Sequence, residues 1–291
     1  MVPKLWNARL RPSIILDAGM LLPHIYDLAT HLPQMDLKAV TDDETNDAID
    51  ELHAMLDRAA AIVGFTGAGI STESGVPDFR SPGSPWMINK PIPFEAFTAS
   101  REARIEAWRR KFAMDDHYRG AAPNRGHFAL ARLITEGRSP GLITQNIDGL
   151  HQISGIPDEQ VVELHGNGTY ATCLNCGWRH ELDAIRPAFE ASGDPPSCVM
   201  CNGPVKSATI SFGQAMPQVQ MRRAHELTLE ADLFLVVGSS LVVFPAATLP
   251  VIAKRSGAKL VILNREPTEL DGIADLVVRA EIGPALGRLA I

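Results

Sequence analysis

Six short apolar runs punctuate the chain: AIVGF at 61–65, GLIT at 141–144, VVEL at 161–164, LFLVVG at 233–238, KLVIL at 259–263 and DLVV at 275–278. None alternates with polar residues, the pattern of a strand buried on both faces. Between them lie stretches of helical period such as GHFALARLITEG at 126–137 and AHELTLEA at 224–231. The acidic TDDETNDAIDE at 41–51 leads into a segment whose Ile49, Leu52, Met55, Leu56 and Ala59 share one helical face, with the acids at the favourable N-terminal end. That helix is expected to pack on the sheet. Strands alternating with helices over 55–165 and again over 215–291 predict an α/β fold built on an open, doubly wound, parallel, Rossmann-like sheet.

Three stretches break the alternation. Residues 1–45 carry scattered prolines and no sustained period, and read as an N-terminal extension. A helical insertion is expected over about 81–122, opening with SPGSPWMINKPIPFEAF and continuing as REARIEAWRRKF; it is far longer than the roughly 2–6 residues of an ordinary βα connection. Residues 166–212 hold every cysteine of the chain and read as a small separate domain. The sheet domain is then 46–165 together with 213–291.

Composition narrows the partners. A net charge of −7, a pI near 5.7 and the lack of any basic run argue against a nucleic-acid footprint. No apolar stretch reaches the roughly 20 residues of a membrane span, and SIILDAGMLL at 13–22 is interrupted by Asp17 and Gly19. A cytoplasmic protein without membrane contact is expected; its oligomeric state is not legible. The four cysteines form two units, Cys173-x-x-Cys176 and Cys198-x-x-Cys201, in an otherwise cysteine-free chain. This is the pattern of a zinc-ribbon-like module in a reducing compartment, with two redox dithiols as the alternative. Four thiolates leave no coordination position for water, so such a metal is structural.

The strand ends carry the chemistry. Gly67-Ala68-Gly69 follows the first run and would let backbone N–H groups approach a pyrophosphate. The hydride-transfer fingerprint fails, however: the third glycine falls at Thr72, and Asn89 and Lys90 stand where a ribose-binding acid is needed. The other runs end in Gln145, Asn146 and Asp148, in His165-Gly166-Asn167, in Gly238-Ser239-Ser240 and in Asn264-Arg265. Singly these are ordinary turn formers and helix caps. In a doubly wound sheet they all lie along the carboxyl edge, where ligands bind.

The segments GAGISTESGVPDFR (67–80), TQNIDGLH (144–151), ELHGN (163–167), the paired C-x-x-C units, SFGQAMP (211–217), GSSLVVFPA (238–246) and LNREPTELD (263–271) follow in an order that resembles the sirtuins, NAD-dependent protein deacylases, over about 55–291. The resemblance implies NAD as co-substrate, one structural zinc ion, and acyl-lysine proteins or peptides as partners. It implies a reaction that breaks the nicotinamide–ribose bond and captures an acyl oxygen at C1′. Gly67, Ala68 and Gly69 would line the pyrophosphate. Asp78, Phe79 and Arg80 would form the cofactor loop, with Phe79 shielding C1′. Asn146 and Asp148 would lie at the nicotinamide ribose and carboxamide, Gln145 on ribose hydroxyls, Gly238, Ser239 and Ser240 at phosphate or ribose, and Asn264 at the adenosine ribose. His165 would be the general base, with Asn146 beside it; His127 reads as a packing residue and His151 as a brace of its loop.

The same resemblance places the peptide as an added strand between SFGQ and LVVFP. Val205, Ile210 and Phe212 read either as lining of the acyl-lysine tunnel or as core. Members that remove acidic acyl groups resemble one another in a Tyr-x-x-Arg pair; Trp108 and Lys111 stand at that spacing here, which leads us to expect neutral acyl groups. The expected activity is deacetylation with release of nicotinamide and O-acyl-ADP-ribose. Transfer of ADP-ribose to protein, hydrolysis of NAD, or a non-catalytic NAD-sensing module are the alternatives.

Overall fold

The computed structural model describes residues 42–79 and 83–289, so most of the expected N-terminal extension, and Arg80, lie outside the described residues. The strands in chain order are β1 (Ile62–Thr66), β2 (Leu142–Thr144), β3 (Val161–Glu163), β4 (Gly166–Cys173), β5 (Arg179–Glu181), β6 (Val205–Thr209), β7 (Leu233–Val237), β8 (Lys259–Leu263) and β9 (Leu276–Val278). Six of them, in the order β3-β2-β1-β7-β8-β9, form one sheet whose neighbouring pairs are all parallel. These are the six apolar runs. The strand order reverses between β1 and β7, which opens a crevice above their carboxyl ends.

The uninterrupted apolar character of the runs has a direct cause. Leu233, Leu235 and Val237 face one core while Phe234 and Val236 face another, and β8 divides in the same way between Val261 and Leu263 on one side and Leu260 and Ile262 on the other. The first core is closed by helices α1 (Asp42–Arg58) and α5 (Arg125–Thr135) and by the C-terminal turn of helix at Ile282–Leu286. Leu52 and Leu56 of α1 are fully buried there, with Ile49, Met55 and Ala59 packed around them, as the helical period predicts. Helices Gln218–Glu230 and Thr248–Arg255 close the opposite face through Ala224, Leu227, Leu249 and Ala253.

A second, antiparallel sheet is ordered β5-β4-β6. The 81–122 region supplies α2 (Pro85–Ile88), α3 (Phe94–Ala99) and α4 (Arg101–His117). The two insertions read as separate in the sequence share one core: Trp108 and Phe112 of α4 pack with Ala171, Cys173, Ile185, Cys198 and Val205. The Trp108 indole N–H donates to the Val205 carbonyl at 3.2 Å. Only Trp108, Phe112 and Met114 of α4's 17 residues are buried, so the helix carries almost no amphipathic signal.

Candidate active site

A cavity of about 880 Å³ opens at the carboxyl edge of the parallel sheet. It is lined by the segments that follow β1, β2, β3, β7, β8 and β9 and by one side of α4. Gly67, Ala68, Gly69, Asp78, Phe79, Gln145, Asn146, His165, Gly238, Ser239, Ser240 and Asn264 all line it. Asp148 is not among the lining residues.

The glycines after β1 have a structural reason of their own. A Cβ on Gly67 would stand 2.8 Å from the Gly238 carbonyl oxygen, and one on Gly69 would stand 2.8 Å from the Gly238 Cα. Gly238, at φ +64°, would bring a Cβ to 2.3 Å from the Ile70 nitrogen. The chain crossings above β1 and β7 therefore touch backbone to backbone, locked by the Gly69 N–H to Gly238 carbonyl bond at 2.8 Å. The sequence suggested room for a ligand; the space these side chains vacate is filled first by the neighbouring loop.

Ser71, which the sequence reading passed over, connects the nicotinamide-side candidates. Its hydroxyl donates to Asp148 Oδ2 at 2.7 Å and accepts from Asn146 Nδ2 at 3.1 Å. Asp148 Oδ1 accepts the Leu150 N–H at 3.0 Å, and burial raises the carboxyl's pKa above its ordinary value. Behind Ser71, the His127 and His151 rings lie 5.0 Å apart. His127 is fully buried and joins Asn124 in a capping box at the start of α5, and burial takes its pKa down to about 4. His151 contacts Thr66 Oγ1 through Nε2 at 2.9 Å, while its buried Nδ1 has no partner. Burial holds His151 well below the ordinary imidazole value. Both are supports of the site, in keeping with their sequence reading.

His165 is placed differently. Its Nδ1 lies 3.0 Å from the Gln145 carbonyl. A carbonyl only accepts, so Nδ1 carries the proton and Nε2 keeps its lone pair. Burial lowers the imidazole pKa and the bond to Gln145 partly restores it. The His165 carbonyl accepts the Ile210 N–H at 2.7 Å, tying the end of β6 to the histidine. Gln145 Nε2 donates to Ser239 Oγ at 2.8 Å, so two residues expected to meet the cofactor separately are joined across β1.

Phe79 stacks on Trp86, with ring centroids 4.5 Å apart and planes 19° from parallel. The Trp86 indole N–H donates to the Pro77 carbonyl at 3.2 Å. Trp108, Lys111 and Met114 on α4, and Tyr118 just past its end, line the cavity. Lys111 is ion-paired with Asp115, which also accepts from the Tyr118 hydroxyl at 3.0 Å. Ile210 and Phe212 face the cavity, whereas Val205 is fully buried in the core shared with α4 and is not tunnel lining.

The four cysteine sulfurs lie within 4.8 Å of one another. Cys173 and Cys201 Sγ are 3.5 Å apart and Cys176 and Cys198 Sγ 3.6 Å, much too far for a disulfide. Four thiolates at about 2.3 Å from a tetrahedral ion are about 3.8 Å apart, so the cluster fits a metal of that kind. The Asn175 and Met200 N–H groups point at Cys173 and Cys198 Sγ at 3.4 Å each, orienting the first thiolate of both knuckles.

Residues 67–245 match the Sir2 family model. An NAD-dependent protein deacetylase of Rhodopseudomonas palustris is 59% identical over 239 residues, covering 82% of this chain and 94% of that protein. NAD-dependent protein deacetylase 1 of Bradyrhizobium diazoefficiens is 57% identical over the same shares. A solved structure of Sir2 with a p53 peptide and NAD+ superposes with a TM-score of 0.73 at 37% identity, covering 83% of this chain and 96% of that one. Strand order, edge cavity, four-cysteine cluster and these likenesses agree with the motifs in their order along the sequence, and the chain belongs to the Sir2 family.

Proposed function

We propose that this chain is an NAD-dependent protein-lysine deacetylase that releases nicotinamide and an O-acyl-ADP-ribose. The observation that carries the reading is a part-buried imidazole, His165, with its proton fixed on Nδ1 by the Gln145 carbonyl, lining the same cavity as the Gly67–Gly69 turn and Asn146. Bound NAD supplies an electrophilic C1′ once nicotinamide leaves. The chain's own residues do the rest. His165 Nε2 accepts a proton from a ribose hydroxyl, and its lowered pKa keeps it unprotonated at neutral pH. Asn146 and Asp148, held through Ser71, define the nicotinamide side. Gln145, Gly238, Ser239 and Ser240 hold ribose and phosphates, and Asn264 the adenosine ribose. Asp78 and Phe79 belong to the cofactor loop, with Phe79 shielding C1′; by the resemblance alone, Arg80, outside the described residues, is assigned to the phosphate and ribose end.

The acyl-lysine peptide lies between the 211–214 and 241–245 segments, whose backbones bind it without regard to sequence. The four cysteines hold one structural Zn2+. A cytoplasmic setting is the reading that four thiols clustered for a metal support. The same proposal divides the chain into an NAD-binding domain, 46–165 with 213–291, and a zinc-binding domain, 166–212.

The test is a mass-spectrometric assay of one peptide carrying acetyl-, succinyl- or long-chain acyl-lysine, with NAD present. Nicotinamide released in step with deacetylated peptide is expected, and the acetyl form should exceed the succinyl form because Lys111 is already neutralised by Asp115. NAD consumed equally without peptide would replace the proposal by NAD hydrolysis, and ADP-ribose found on protein by ADP-ribosyl transfer.

A further inference from the structure

The far end of the cavity is formed by the segment after β8, whose Asn264, Arg265 and Glu266 line it, but Arg279, just beyond β9, does not. Arg279 is nevertheless the residue to which that segment is tied. Its Nη1 donates to the Asn264 carbonyl at 3.2 Å and to the Glu266 carbonyl at 2.9 Å. Its Nη2 pairs with Asp271. Asp271 in turn accepts from the Thr268 N–H at 3.1 Å and the Thr268 hydroxyl at 2.7 Å. One guanidinium thus gathers both ends of the loop 264–271. The Asn264 side chain is set by the same arrangement: its N–H donates to the Val278 carbonyl at 3.1 Å, and its Nδ2 to the Glu266 carbonyl at 2.7 Å. These bonds orient its Oδ1, for which no hydrogen-bond donor stands among the described residues.

We infer that Arg279, latched to Asp271, is a positioning residue for the adenosine end of the cofactor, acting through the loop that carries Asn264. The inference rests on the deacetylase reading above for the ligand concerned. The ion pair is well placed for such a role: the two side chains are 19% and 18% exposed, so solvent screens it less than the surface pairs on α4. A planar fork reaching two carbonyls and a carboxylate at once is a geometry lysine cannot reproduce. The loop ordered in advance spares the ligand the cost of ordering it.

The experiment compares wild type with Arg279→Met, Arg279→Lys and Asp271→Asn. ADP-ribose binding is read by calorimetry, NAD kinetics with acetyl-peptide by steady-state assay, and the other end of the cavity by inhibition with free nicotinamide. The expected result is a rise of about tenfold in the ADP-ribose Kd and in KM for NAD for Arg279→Met and Asp271→Asn, the scale of one lost charge-assisted hydrogen bond. Here kcat stays within about twofold and nicotinamide inhibition does not move. Arg279→Lys keeps the melting temperature but not the affinity. Unchanged ADP-ribose affinity in both Arg279→Met and Asp271→Asn overturns the inference, as does a loss that strikes kcat and nicotinamide inhibition equally, which marks Arg279 as merely structural. A wild type that binds ADP-ribose but deacetylates nothing refutes the activity and leaves the latch to be judged on the Kd alone.

Discussion

His165 owes its chemistry to its surroundings. The Gln145 carbonyl selects the tautomer, and partial burial lowers the pKa. His165→Ala should lower kcat/KM for deacetylation by about 10²–10⁴ while leaving NAD affinity within a few-fold, because a general base acts in the transition state and contributes little to ground-state binding. The wild-type profile of kcat/KM against pH should fall on the acid side with a midpoint below the ordinary imidazole value of about 6.5, since the working form is the neutral one. Retained turnover in the variant, or an acid limb that begins above 7, contradicts the assignment. At this scale the sequence was a good guide to which residues reach the cavity and a poor one to what they touch. Ser71 lies within a quoted motif, yet a serine in a glycine-rich loop looks like a cap; its bonds are to Asn146 and Asp148, more than 70 positions away.

Helix α4 belongs to two structures at once. One side lines the cavity, and its Trp108 and Phe112 complete the core of the cysteine-bearing module. Trp108→Ala should cost about 3–5 kcal/mol of unfolding free energy, the range for emptying a large aromatic site. Zinc should also become more accessible to a chelator, because Cys173 and Cys198 pack in the same cluster. Denaturant titration and chelator-release rates read the two effects; a destabilised protein that holds zinc as tightly as wild type would show that the helix and the metal knuckles are energetically independent. The six strands of the parallel sheet were legible because burial on both faces removes polar positions from the run itself. Helix α4 was legible only as a helix, since three buried positions among charged ones do not announce a partner.

Across the whole molecule, strand order turns scattered motifs into one site. His165 follows β3 and Asn264 follows β8, four strand spacings or about 19 Å apart along the sheet edge. The buried imidazoles beneath this edge set a pH dependence of stability. The folded-state pKa of His127 is about 4 and that of His151 is also well below the ordinary imidazole value, so above about pH 6.5 both are neutral, folded or unfolded. As pH falls below that, the unfolded chain takes up protons first, and stability is lost progressively down to about pH 4 for His127. The change is about 3 kcal/mol for that residue. Asp148, with its raised pKa, works in the opposite sense, so the comparison needs a variant. His127→Asn should flatten the decline in urea midpoint between pH 7 and pH 4.5, and parallel curves for variant and wild type would rule His127 out as its source.

The sequence by itself determined the strands, the pairing of the cysteines and the residues gathered at the carboxyl edge. Each of these is written in local pattern: a run buried on two faces, a C-x-x-C knuckle, a polar cluster at a strand end. Tertiary structure alone decided that Gly67, Gly69 and Gly238 meet one another, that the two insertions share a core, that Val205 belongs to it, and that Ser71 joins Asp148 to Asn146. These facts turn on contacts between residues far apart in the chain. No turn of helix or strand period records them, because such a contact leaves each partner's near neighbours free to be almost anything.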